Sequence, residues 1–366
     1  MPDRGQENAP KGTAKGVAQL AGVSITTVSR VLSGQDVAIS KATRQRVLSA
    51  AKQLRYRPNS LAVALRKGHT RTIGLLVPDI ADAYFHQIAR GLEDAAQLVG
   101  YTVVLCNTDR DAAKERSYVE LLADQQVEGI VFAGGGVDDD EHLVDFPWHE
   151  IHVVTVGPHR LACPSIRVDD AGTIELAVDH LVEQGCRRIL CLAGRPNWLI
   201  HQERLAGYVR AVDAHGLERD QQLVRPGLFS VDEGYASVEA ALRQGVHFDG
   251  VVAFNDYAAI GAVRAVAAHG RRVPEDVVVV GCDDIPVSSL VSPRLTSVSF
   301  PQYDFGRAAM EVVLDLAAGN TVEPVRQFPY HLEVRESSRR HAAVGTARGP
   351  VSPSTASTER SEEGPQ

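Results

Sequence analysis

The chain has 366 residues, 44% of them hydrophobic, and a formal net charge of −8 at pH 7. That length suffices for two or three domains with sizeable cores, and no apolar run reaches the ~20 residues that span a membrane. The polar opening MPDRGQENAPKGTAKG has no apolar stretch, which argues against an export signal.

Residues 1–11 read as a flexible lead. From Ala14 the run AKGVAQLAGVSITTVSRVLSG has the pattern of a helix-turn-helix. Val17, Leu20 and Ala21 form the apolar face of a first helix. Gly22 breaks that helix, Val23 fills the corner, and Ser24 is placed to cap a second one. Val28, Val31 and Leu32 point inward at i, i+3 and i+4, so Thr26 and Arg30 project from the opposite face, with Ser33 beside them. A packed back with a small-polar-plus-arginine front suits the major groove, where Thr26 and Arg30 would read base edges. The bland alternative is a helical hairpin with a solvated face. Ser40 opens a third helix, with Val47, Leu48, Ala51 and Leu54 on one side.

Charge is divided unevenly along the chain. Residues 1–71 hold thirteen Lys and Arg against Asp3, Glu7 and Asp36, a net of +10. Because the whole chain is −8, residues 72–366 carry −18. A basic head on an acidic body fits a polyanion-binding head. Between them, residues 59–70 contain NSLAVALRKG, a short helix that Asn59 would cap and Gly68 would end. Leu61 and Leu65 lie one turn apart with Arg66 and Lys67 behind. This segment is either a plain linker or a hinge that orders on DNA and wedges a leucine between base steps.

From Arg71 the pattern alternates. Apolar runs of strand length at 73–77, 102–106, 129–133, 153–157, 188–193, 250–254 and 277–281 are mostly separated by helical periodicity at 84–99, 111–125, 172–185, 201–215, 232–244, 256–270 and 302–318. Buried parallel strands with crossover helices predict a doubly wound α/β body, and its size favours two similar lobes. Ligands in such folds bind at the carboxyl ends of strands. Polar clusters stand there: Asp79 and Asp82, Asn107 and Asp109, Asp169 and Asp170, Asn255 and Asp256, Asp283 and Asp284. Each pair can serve as a helix cap, but five together predict a polar cleft. The five cysteines (106, 163, 186, 191 and 282) sit mostly in strands without metal-ligand spacing, as reduced thiols of a cytoplasmic protein would. No metal or cofactor is expected. Residues 339–366, rich in Ser, Thr, Pro, Gly and Glu, read as a disordered tail.

The run AGVSITTVSRVL resembles the LacI/GalR family of bacterial transcription regulators. So do YRPNSLAVALRKGHTRTIGLLVPDIADAYF, GLEDAAQLVGYTVVLCNTD, RRILCLAG, RLAGY, FNDYAAIGAVRAV, VPEDVVVVGCDD and PRLTSVSFPQYDFGRAA. The likeness runs from Lys15 to about Glu336. It implies an all-α helix-turn-helix headpiece at 12–58, a hinge at 59–70 and a two-lobed α/β core at 71–338 like periplasmic sugar-binding proteins. The lobes would comprise about 71–164 with 301–324, and about 165–300 with 325–338. It further implies a homodimer, or a dimer of dimers, on a near-palindromic operator. A polar cleft with Tyr84, Phe85 and Phe229 suits a sugar or sugar phosphate as effector best, and a nucleobase less well.

Carried over by position, Ile25, Thr26 and Arg30 match base-reading positions, with Ser24 and Thr27 beside them. Leu65 matches the wedging hinge leucine and Ala62 its small neighbour, flanked by Asn59 and Arg66. Tyr84, Phe85, Arg204, Phe229, Asn255 and Asp283 match effector contacts, whereas Asp256 reads as a helix cap. The chain departs from the family at Gly16, where an acidic residue is usual, at Val63 in the hinge, and at Gly157, where an acidic effector contact is common. Trp198 either roofs the cleft or packs the lobe surface.

Two other classes fit less well. A solute-binding protein needs an export signal and has no use for a basic headpiece. An enzyme needs a reactive constellation, and the chain has no GxSxG elbow, P-loop or HExxH; Gly134-Gly135-Gly136 is only a glycine-rich loop. His180 and His201 are the histidines nearest the expected cleft, and a structural role suits both.

Overall fold

A computed structural model describes residues 12–32, 39–56, 70–136, 138–148, 151–226 and 229–340. The head is three helices, α1 (Ala14–Ala21), α2 (Ile25–Leu32) and α3 (Lys41–Gln53). Gly22 ends α1 at φ 62°, a left-handed conformation that side chains resist. Ser24 Oγ accepts from the Thr27 amide at 3.1 Å and Ser40 Oγ from that of Thr43 at 3.2 Å, so hydroxyls start α2 and α3. Thr13 caps α1, whose first turn holds no acid, as Gly16 foretold.

Val17, Ala18, Ala21, Val28, Val31, Val47, Ala50 and Ala51 form the head's core. Two expected core leucines are outside it: Leu20 is 48% and Leu48 45% exposed. Each lies one helical step off the buried stripe, and Ala18 and Ala50 take their places because three short helices meet closely enough for methyl groups.

The body holds two six-stranded sheets. The first is built from β1 (Thr72–Val77), β2 (Thr102–Asn107), β3 (Gly129–Ala133), β4 (His152–Val156) and β5 (Ser165–Arg167), with α4 (Ala83–Leu98) and α5 (Ala112–Asp124) as crossovers. The chain then enters the second lobe through α6 (Asp170–Glu183), β6 (Ile189–Leu192), α7 (Leu199–Ala214), β7 (Val224–Arg225), α8 (Val231–Arg243), β8 (Gly250–Ala253), α9 (Asp256–Ala268), β9 (Val278–Cys282) and β10 (Thr296–Ser299). It returns for α10 (Gln302–Ala317) and β11 (Val325–Gln327), and crosses again to β12 (His331–Glu333). Strand order is β11-β5-β4-β3-β1-β2 in the first sheet and β12-β10-β9-β8-β6-β7 in the second. Every pairing is parallel except β10 with β12.

Both faces of the first sheet are covered, as a parallel sheet requires. Ile73, Leu75 and Val77 face one cluster with Ile88 and Leu92 of α4, while Leu76, Ile130 and Phe132 face another with Val119 and Leu122 of α5. β5 and β11 pair within this sheet. The chain therefore crosses between lobes after Arg167 and after Gln327, a few residues later than the expected 164 and 324. Three-residue strands leave too short a pattern to read.

Candidate functional site

On the head, Ile25, Thr26 and Arg30 are exposed along one side of α2, with Ile25 at 51%. Ile25 is thus exposed, although the helical wheel does not put it on the outward face. Ser24 is spent as a cap, its hydroxyl also 2.9 Å from that of half-buried Thr27. Asn59, Ala62, Val63, Leu65 and Arg66, like Ser33 and the two termini, lie outside the described residues.

The second site is a cleft between the lobes. Tyr84, Phe85, Arg204, Phe229, Asn255 and Asp283, drawn from five segments of the chain, all line one cavity of about 50 Å³. That is room for only a few waters, so the lobes stand nearly closed. Several bonds hold them so. The Ala83 amide donates to Tyr257 Oη at 3.2 Å, Arg167 pairs with Glu203 at 2.5 Å, and the Leu199 amide reaches the Gly136 carbonyl at 3.4 Å.

Strand ends and helix caps build the cleft. Asp82, after β1, accepts from the Tyr84 amide at 3.0 Å and caps α4 while lining the cavity. Asn255, after β8, caps α9 through Oδ1 and donates from Nδ2 to the Phe229 carbonyl at 2.9 Å. Capping thus falls to Asn255, not to Asp256. The Asp256 carboxylate instead takes the Ile285 amide and the hydroxyls of Ser288 and Ser297 at 2.5–2.9 Å, fully buried behind the cleft.

Arg204 is the polar centre. Its Nε donates to Asp170 at 3.1 Å, its Nη1 to the Phe254 carbonyl at 2.5 Å, and its Nη groups approach Asp283 at 3.4–3.5 Å. Burial pushes the carboxyls of Asp170 and Asp283 up, against the pull of the Arg204 cation. Asp283 has φ 113°, a strained value for a residue with a side chain, and such strain gathers at functional positions.

Trp198 belongs to the cleft: it is 3% exposed and packs edge-on against Phe229, with ring centroids 5.6 Å apart. His201 is buried beneath Arg204 beside a smaller cavity. His180 is away from the cleft, bonded to the Ser338 hydroxyl at 2.7 Å. All five cysteines are free, and no group of three or more metal-ligating side chains is found among the described residues.

Comparison with known proteins decides the family. Residues 13–59 match the model of bacterial regulatory proteins of the lacI family, and residues 178–338 a periplasmic binding protein-like domain. The chain is 34% identical over 328 residues, 88% of its length and 98% of the relative's, to the HTH-type transcriptional regulator RegA of Clostridium saccharobutylicum. It is 33% identical to the ribose operon repressor of Halalkalibacterium halodurans, covering 89% and 97% of the two chains. The chain belongs to the LacI family.

Solved structures of transcription regulators agree. The lac repressor dimer bound to operator and the anti-inducer ONPF superposes with TM-score 0.82 at 28% identity, covering 89% of this chain and 99% of that one. The CelR–cellobiose complex gives 0.67 at 34%, covering 89% and 100%. As a LacI-family protein the chain is a DNA-binding transcription regulator with an effector-binding core, and its relatives are regulators rather than enzymes. No described helix is long and apolar enough to cross a membrane.

Among the charged residues that line the cleft, Arg110 has no counterpart in the sequence expectations. It follows β2, where a ligand-facing group belongs in this architecture, and the strand-end pattern there points to its neighbours Asn107 and Asp109 instead. Those two bond each other and do not line the cavity. Arg110 does.

Proposed function

We propose that this chain is a cytoplasmic repressor that binds a near-palindromic operator as a homodimer and changes its grip when a sugar-like effector enters the interlobe cleft. The observation that carries this reading is the single cavity lined by all six expected effector residues from both lobes. Its chemistry suits a polyhydroxylated ring: carboxylate and amide oxygens in the lining keep lone pairs that accept hydroxyl protons, and the aromatic side chains around the cavity offer apolar surface to ring C–H groups. The operator and dimer in the lac repressor structure and the cellobiose in that of CelR support the same view.

In this reading residues 12–58 form the DNA-binding domain, 59–70 the hinge and 71–338 the core. Ser24, Ile25, Thr26, Thr27 and Arg30 face the major groove, while Asn59, Ala62, Leu65 and Arg66 engage the minor groove. Ligand favours one closure of the lobes about the crossovers near Val168 and Phe300, which sets the separation of two hinges in the dimer. When the hinges cannot meet, Leu65 withdraws and the bivalent grip is lost.

Calorimetric titration of the purified protein with a sugar panel tests the cleft. Binding that is at least about ten-fold weaker in Phe229→Ala supports it. Binding indifferent to that change contradicts it.

A further inference from the structure

Arg110 crosses from the first lobe to press its guanidinium into the corner formed by two aromatic rings of the second. Its Cζ lies 4.4 Å from the Trp198 ring centre and 4.1 Å from that of Phe229. The two rings stand at 82° to each other with centres 5.6 Å apart, a corner that holds the cation by its attraction to the ring electrons and supplies no hydrogen-bond acceptor. Among the described residues the Arg110 N–H donors make no hydrogen bond. Its ion-pair partner, Asp82 Oδ2, stands 3.7 Å from Nη2, and Nε is buried without a hydrogen-bond partner. The backbone is strained to place it, with Asp109 and Arg110 both left-handed at φ 55° and 56°.

We propose that Arg110 is a specificity-determining residue that selects an effector bearing an anionic group, a carboxylate or a phosphate. This rests on the reading that the effector sits in the interlobe cleft. The two arginines of the cleft differ in what they still need. Arg204 is satisfied by Asp170, Asp283 and the Phe254 carbonyl.

Three carboxylates line the cavity against two guanidinium groups, but Asp170 and Asp283 are bound to Arg204. Asp82 is turned to the start of α4. Asp82 apart, the first-lobe lining, which includes Gly134, Gly135, Val156 and Gly157, offers no counter-charge. Burial pulls the Arg110 pKa down to about 10 even with Asp82 and Asp79 opposing it, which marks a poorly compensated cation. An anion meeting its N–H fork would supply both charge and acceptors, and a guanidinium fork matches carboxylate and phosphate oxygens in pairs.

The test is calorimetric titration of the full-length protein with matched probes: glucose against glucuronate and glucose 6-phosphate, galactose against galacturonate, and ribose against ribose 5-phosphate. The expected result is an anionic probe binding at least about ten-fold tighter than its neutral parent. That advantage should vanish in Arg110→Gln and return in part in Arg110→Lys, which keeps the charge without the fork. The acid and phosphate arms then identify the anion.

Neutral sugars binding as tightly as their anionic counterparts, or an anionic preference that survives in Arg110→Gln, would overturn the proposal and leave the sugar reading standing. If neither class binds, the sugar reading fails and this proposal with it. The matched pairs act on the unaltered protein, so the comparison holds even if a variant folds poorly.

Discussion

Arg204 and Asp170 form a buried ion pair at 3.1 Å, with side chains only 5% and 3% exposed, in the wall of the interlobe cleft. Breaking it strands Asp170 and Asp283 in a low-dielectric site. Arg204→Ala should therefore destabilise the core by about 3–5 kcal/mol as well as blunt any effector response. Urea denaturation reads the first effect and ligand titration the second. Unchanged stability would show that the pair contributes nothing net.

Asp256 gives the core a pH dependence of unusual sign. Burial raises its pKa to about 7, despite three hydrogen bonds to the carboxylate. Below about pH 4 both folded and unfolded forms are protonated. Between there and pH 7 only the unfolded form ionises, so stability falls as pH rises and the loss levels off above 7. The full effect is of order 4 kcal/mol. Asp256→Asn should remove this slope in urea melts run from pH 5 to 8; an unaltered slope would assign it elsewhere.

Helices α4 and α10 touch through glycine. A methyl group on Gly306 would stand 2.0 Å from the Ile88 carbonyl oxygen, and one on Gly91 would stand 1.9 Å from that of Tyr303. Gly306→Ala should cost about 1–3 kcal/mol by forcing the helices apart. A thermal melt at the unaltered midpoint would mean that the pair relaxes freely.

These elements show what the sequence can reveal. The seven long strands and their helices were legible because each buried run or amphipathic stripe repeats over several residues. Leu20 and Leu48 misled because a wheel shows that a residue is apolar without saying how narrow the contact is. β5 and β11 were too short for any period, which displaced the lobe boundaries. In the cleft, Tyr84, Phe85, Arg204, Phe229, Asn255 and Asp283 were found through the resemblance. Arg110 was missed because its role depends on Trp198 and Phe229, 88 and 119 residues further along the chain. No local pattern announces that meeting.

On the head, Arg30 is exposed on α2 beside Thr26. Arg30→Ala should weaken binding to a specific site by about 1–3 kcal/mol and weaken non-specific binding much less. Anisotropy titrations on both DNAs at fixed salt separate the two. Equal losses would remove Arg30 from base readout and leave it as a phosphate contact.

Ligand-controlled recognition of one DNA sequence is tested most directly by selection of genomic fragments with the purified full-length protein at physiological salt, with and without a panel of neutral and anionic sugars. Enrichment of a palindromic site whose recovery changes with one class of compound is the expected result. No enriched site under any condition, while sugars still bind, would contradict it and leave the chain a sensor without an operator.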